Sequence, residues 1–230
     1  MKTTLKSIAL LGAFFCALSP TFSHGASIAW QPTFPVAGLG TAAVFTEGTL
    51  HSAINTTTSG VVHTLTIPGV EDIPFAPVGG LFGSTTGDDN FGGSVGDATF
   101  DIILNSHAWQ GGGASFSIND LVPGNTYSLQ IFGVYDTRGC CAARDTQYGD
   151  GLGNRSDNVT RGEGETVLGF FVADSTSQLI EVLPTNNGDG TDPSLSAYIV
   201  RDLTPIPEPG TISLLVIGGL GLVMRNRRKR

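Results

Sequence analysis

The sequence predicts an all-β protein, an antiparallel β-sandwich with an export signal at one end and a membrane segment at the other. Three observations carry that prediction. Short runs rich in β-branched and aromatic residues recur between clusters of Gly, Asn, Asp and Pro, the alternation of strand and turn. No stretch between the two ends holds a sustained 3.6-residue apolar period, so no long amphipathic helix is expected. The chain carries 32 glycines among 230 residues, which suits many tight turns, and it shows no fixed repeat period.

From the N-terminus, Lys2 and Lys6 form a charged region ahead of an apolar run, Ile8 to Leu18. Ser23 and Gly25 then supply small residues for cleavage, so residues 1–25 read as a signal peptide and the mature chain starts near Ala26. Cys16 follows Phe14 and Phe15 rather than the small residues of a lipoprotein signal, and leaves with the peptide. The mature protein therefore lies outside the cytoplasmic membrane, where disulfides persist.

Residues 26–204 are long enough for one well-buried core and read as a single β-sandwich domain. Strands are expected at Ser27–Trp30, Val61–Ile67, Ala114–Ile118, Thr126–Tyr135, Thr166–Ala173, Gln178–Val182 and Ser196–Asp202. Ala98–Leu104 fits either a strand or one helical turn. In Leu121-Val122-Pro123-Gly124-Asn125-Thr126-Tyr127, Pro123 presets φ and Gly124 accepts a positive φ, which predicts a type II turn. The Leu-x-Pro-Gly-x-x-Tyr pattern resembles the tyrosine corner of fibronectin type III modules, which implies a Tyr127 hydroxyl bonded to backbone.

The charge of this body is lopsided. It holds nineteen acidic residues against Arg138, Arg144, Arg155, Arg161 and Arg201, with no lysine, a net −14 that the whole-chain −8 conceals. Nucleic acid is a poor partner for such a surface, because phosphate binding needs the opposite sign.

At the C-terminus, prolines at 205, 207 and 209 separate the body from a fourteen-residue apolar run, residues 211–224. As a helix this run would extend about 21 Å, short of the ~30 Å hydrocarbon core. The basic tail 225–230 lengthens its reach by snorkelling and holds that end on the cytoplasmic side. Together with Pro207-Glu208-Pro209, this order closely resembles the PEP-CTERM sorting signal of bacterial surface proteins across residues 205–230. The resemblance implies a transient transmembrane helix and cleavage near Pro207, Glu208 and Pro209 by the membrane protease exosortase. The alternative is an ordinary single-span anchor with a coincidental Pro-Glu-Pro. A GPI signal ends apolar, whereas this tail ends basic.

A second resemblance rests on Leu129–Phe132, Tyr135–Arg138, Gly169–Gln178 and Leu195–Leu203. These stretches are similar to PEP-CTERM proteins whose body is a jelly-roll sandwich like the galactose-binding-like fold. That fold hosts sugar binding, adhesion and plain structural roles alike, so it implies no single function.

Candidate binding residues fall in the stretch between Tyr135 and Thr166, a long loop by pattern and home to four of the body's five arginines. Tyr148 and Asp150, with Asp136, Arg138 and Arg144, combine an aromatic face with charged planar groups, the means by which a sugar is stacked and gripped. The competing reading is a solvated loop held by Arg–Asp pairs, toward which Arg138 leans because it directly follows a core strand. Cys140 and Cys141 are the only cysteines left after export, and they read as a vicinal disulfide or as free thiols.

No cofactor is required by the sequence. Calcium is the one metal whose hard oxygen ligands it offers, through Asp150 and Asp157 or Asp189 and Asp192, though neither set meets EF-hand spacing. His51, His63 and His107 are scattered and give no zinc pattern. Gly92-Gly93-Ser94-Val95-Gly96 matches a nucleophile elbow only formally, because it lacks the preceding strand and a later acid–His order. A non-catalytic, exported component of an extracellular polysaccharide or biofilm matrix, with weak carbohydrate binding, is the expectation. A purely structural or adhesive surface protein is the first alternative, and a glycoside-active enzyme the second.

Overall fold

A computed structural model describes residues 25–185 and 192–205. The proposed signal peptide, Asp189, the Pro207–Pro209 motif, the apolar segment 211–224 and the tail 225–230 lie outside the described residues, Gly25 of the first excepted. In chain order the strands are β1 (Ala29–Trp30), β2 (Phe34–Pro35), β3 (Thr49–Asn55), β4 (His63–Ile67), β5 (Glu71–Pro77), β6 (Ser84–Thr85), β7 (Ala108–Trp109) and β8 (Ala114–Ile118). They continue with β9 (Thr126–Phe132), β10 (Asp145–Gly149), β11 (Val159–Thr160), β12 (Glu165–Val172), β13 (Gln178–Pro184), β14 (Ser194–Leu195) and β15 (Ala197–Asp202). One helix, α1 (Ala98–Asn105), lies between β6 and β7.

The protein is mostly β. Its large sheet runs β1-β12-β9-β15-β3-β5-β4, with β2 also on β12. A second sheet runs β11-β10-β13-β8, and a third, small one runs β14-β7-β6. In β9 every residue after Thr126 is buried, because this strand sits centrally and is covered on both faces. Tyr127, Leu129 and Ile131 point into one apolar cluster with Val167, Phe171, Tyr198 and Val200 of the same sheet. Phe116, Ile118, Tyr148, Ile180 and Val182 of the second sheet fill that cluster from the other side. Phe132 and Ile199 face the opposite way, onto Phe100, Ile103 and Leu104 of α1 and onto Leu65, Ile73 and Phe75.

Three expectations change. The large sheet is not purely antiparallel: β3 pairs with β5 in parallel, Ile54 opposite Ala76. The β4–β5 hairpin causes this, because its second strand, not its first, docks beside β3. Ala98–Leu104 belongs to an eight-residue helix, whose start Asp97 caps by accepting the Phe100 N–H at 2.9 Å. The stretch between Tyr135 and Thr166 is not one loop, since β10 and β11 lie within it and join the second sheet. Sequence pattern passed over β10 because Thr146 and Tyr148 alternate inward for only five residues, among turn-forming neighbours.

The corner before β9 forms as expected. Asn125 N–H donates to Val122 carbonyl at 3.1 Å with Gly124 at φ +90°, and the buried Tyr127 hydroxyl accepts the Val122 N–H at 3.0 Å.

Candidate carbohydrate-binding cleft

The small sheet builds one wall of a cleft. Thr86 follows β6, His107 precedes β7, Trp109 ends it, and Asp192 stands just before β14, so sheet pairing sets these residues side by side. Alternation along His107-Ala108-Trp109 turns Ala108 into the core and both rings toward the cleft. The His107 ring lies 5.0 Å from Trp109 and 5.0 Å from Phe91, making a continuous aromatic wall.

The opposite wall is cationic. Residues 138–144 coil so that the Cys141 and Ala142 N–H groups both donate to the Arg138 carbonyl, at 2.9 and 3.0 Å. Arg144 N–H closes the next turn on the Cys141 carbonyl at 3.1 Å. Cys140 and Cys141 are joined in a vicinal disulfide within this coil, and Cys141 lines the cleft. Arg161 N–H donates to the Arg144 carbonyl at 3.0 Å, and the Arg161 carbonyl accepts the Asp136 N–H at 3.2 Å. These backbone ties bring Arg138, Arg144 and Arg161 around one space of about 310 Å³.

Each arginine is held differently. Arg138 grips Asp136 through Nε at 2.9 Å and Nη2 at 2.7 Å, and its guanidinium lies 4.0 Å above the Phe91 ring centre. Burial alone would raise the fully buried Asp136 carboxyl, but the hydrogen bonds and charge of Arg138 hold it below the ordinary carboxylate value. Arg144 Nη1 stands 3.7 Å from the Asp192 carboxylate, beyond hydrogen-bond range, and its Nε has no partner among the described residues. Arg161 is 4% exposed, donates from Nη2 to the Asp192 carbonyl, and likewise leaves Nε unpartnered. Burial first, and the charge of Arg144 second, loosen the Arg161 proton. Burial, then the charge of Arg161, also push the His107 imidazole down to about 4, so the ring is neutral above that pH.

The residues expected to bind divide. Arg138 and Arg144 line the cleft. Asp136 is fully buried, outside its lining, with both carboxylate oxygens taken by Arg138, so it offers no acceptor to a sugar. Tyr148 is not in the lining either: it is fully buried in β10, and its hydroxyl donates to the Ser194 carbonyl at 2.8 Å. Its ring is a core side chain and offers no face to a ligand. Asp150 is also fully buried, accepting the N–H groups of Ile28, Leu152 and Asn154 at 3.1, 2.8 and 3.2 Å. It clasps a turn to the N-terminal strand instead of facing a sugar. Of the calcium ligands the sequence offers, Asp157 is exposed, Asp192 lies 3.7 Å from Arg144, and Asp189 lies outside the described residues. Among the described residues no group of three His, Cys, Asp or Glu is placed to hold a metal. Ser94 of the glycine-rich turn donates to Asp101 of α1 at 2.7 Å, a contact that secures the helix start.

Phe91, His107, Trp109 and Arg161 complete the cleft without having been singled out by sequence for it. The available signal was His107-Ala108-Trp109, two rings at strand spacing, one of them one of the chain's two tryptophans.

Residues 205–229 match the PEP-CTERM protein-sorting motif. The motif indicates an exported protein that exosortase targets, anchored transiently through its C-terminus. Neither a curated protein nor a solved structure matches the chain. Among the described residues no helix is long and apolar enough to cross a membrane.

Proposed function

We propose that the protein is a non-catalytic component of an extracellular polysaccharide matrix, delivered by exosortase processing, and that the cleft binds carbohydrate. The carrying observation is the pairing of an aromatic wall, Trp109 with His107, against the guanidinium groups of Arg138, Arg144 and Arg161. Aromatic faces take the C–H face of a sugar ring, and planar cations fork onto its oxygens. Likeness to galactose-binding-like jelly-rolls across residues 121–203 supports the reading, as does the apolar cluster packed between the large and second sheets. The parallel β3–β5 pair is a local departure from that likeness. The reading needs no cofactor.

An open cleft of this size supports weak binding per site, micromolar to millimolar. Isothermal titration of the purified protein with soluble polysaccharides tests it: Trp109→Ala abolishes the heat of binding and leaves the melting temperature within a few degrees. Absence of saccharide binding by the intact protein would sink the reading. An adhesive or structural role then gains ground, favoured by Val61, Val62 and Val70, each at least half exposed around the β4–β5 hairpin at the sheet's edge.

A further inference from the structure

Three of the body's five arginines meet in one place on a chain of strongly acidic balance. Of the other two, Arg201 is buried against Glu71, and Arg155 is exposed outside the cleft. Within the cleft only Arg138 has a bidentate carboxylate partner. Arg161, almost fully buried, bonds to a neutral carbonyl, and Arg144 holds its carboxylate at 3.7 Å only. Among the described residues both leave a buried Nε without a partner, and the 7% exposed His107 likewise leaves its Nδ1. Buried polar atoms are ordinarily satisfied, so three orphans in one cluster show cationic side chains short of acceptors.

We propose that the cleft selects a sugar bearing a carboxylate, a uronic-acid residue, with the carboxylate between Arg144 and Arg161 and the ring face on Trp109. This rests on the carbohydrate reading above and names its ligand class. A neutral sugar entering the cleft strips water from two guanidinium groups and returns no charge. A carboxylate returns both charge and a forked acceptor that matches guanidinium geometry, and charge-assisted bonds are roughly twice as strong as neutral ones. Asp89, also lining the cleft, repels a second carboxylate, which fits one acidic residue among neutral ones better than a continuous polyanion.

The test uses a matched pair, methyl β-glucuronide and methyl β-glucoside, which differ at C6 alone, titrated calorimetrically into the purified full-length protein. The glucuronide is expected to bind about ten-fold tighter, the ratio that one added charge-assisted contact produces. Raising the salt concentration is expected to shrink that ratio. Arg144→Gln brings the two ligands to parity, the glucuronide losing more affinity than the glucoside. Arg144→Lys, which keeps the charge but not the fork, retains part of the preference and covers the case in which the glutamine variant does not fold. Equal affinity of the wild-type protein for both glycosides overturns the carboxylate assignment and leaves carbohydrate binding standing. Binding of neither removes both. Displacement of the glucuronide by acetate at the same concentration overturns the assignment in a third way, since the cleft would then be a simple anion site.

Discussion

His107 couples the cleft to pH. Its imidazole is held near 4 in the folded protein by burial and then by the neighbouring Arg161, against an ordinary 6.5; Asp136 pulls the other way, and Arg138 adds a smaller push down. Between those two values the unfolded chain binds the proton and the folded chain does not, so stability rises with pH across that window. Acidification from 6.5 to 4 is expected to remove roughly 3 kcal/mol through this one residue, after which its effect levels off. His107→Gln keeps a polar side chain but no proton to exchange, and urea denaturation at several pH values should show a flatter acid limb. Asp136 adds a change of the same sign lower down. Its carboxyl lies below its unfolded value, so its contribution is present above that value and is lost as pH falls through the folded one.

At the scale of elements, the corner before β9 is the clearest case of a local rule with a long-range consequence. Pro123 and Gly124 turn the chain, and Tyr127 fixes the turn's far side while its ring enters the core against Phe171 at 5.7 Å. Tyr127→Phe removes the acceptor of the Val122 N–H and should cost about 0.5–1.5 kcal/mol. Tyr127→Ala also empties a core site and should cost roughly 3–5 kcal/mol. Chemical denaturation monitored by circular dichroism measures both, and an unchanged midpoint in the alanine variant would refute the structural role given to this corner. The strand β10 teaches a different lesson. Its five residues carry Asp, Thr, Gln and Gly around one tyrosine, so the strand is stabilised by neighbours β13 and β11 rather than by its own propensity.

For the whole molecule, the C-terminal motif bears on how the body is delivered. The PEP-CTERM motif at 205–229 directs exosortase processing, and cleavage near Pro207–Gly210 would shed every basic residue of the tail. The processed protein then carries only the acidic body and its arginine cleft. Mass spectrometry of protein released at the cell surface is expected to find a C-terminus near Pro207 to Gly210. Recovery of an intact Arg230 terminus from the mature pool would refute that processing.

What the sequence determined by itself is what contiguous residues encode. The sorting motif, the turn at Val122–Asn125, the core strands β8, β9, β12, β13 and β15, and the strongly acidic balance all depend on neighbours in the chain. Arg138 and Arg144 were legible as neighbours for the same reason, since they lie on one short stretch, and both line the cleft. Tertiary structure decided the rest. Whether Tyr148 faces a ligand or the core depends on which sheet β10 joins, and the second sheet takes its ring inward to Ser194, 46 residues away. Trp109 and Asp192 lie 83 positions apart in the chain and meet at the cleft only because β7 and β14 pair. Residue type sets what chemistry is available locally. Strand pairing between distant segments sets which of those groups share a space, and a short window of sequence carries no record of it.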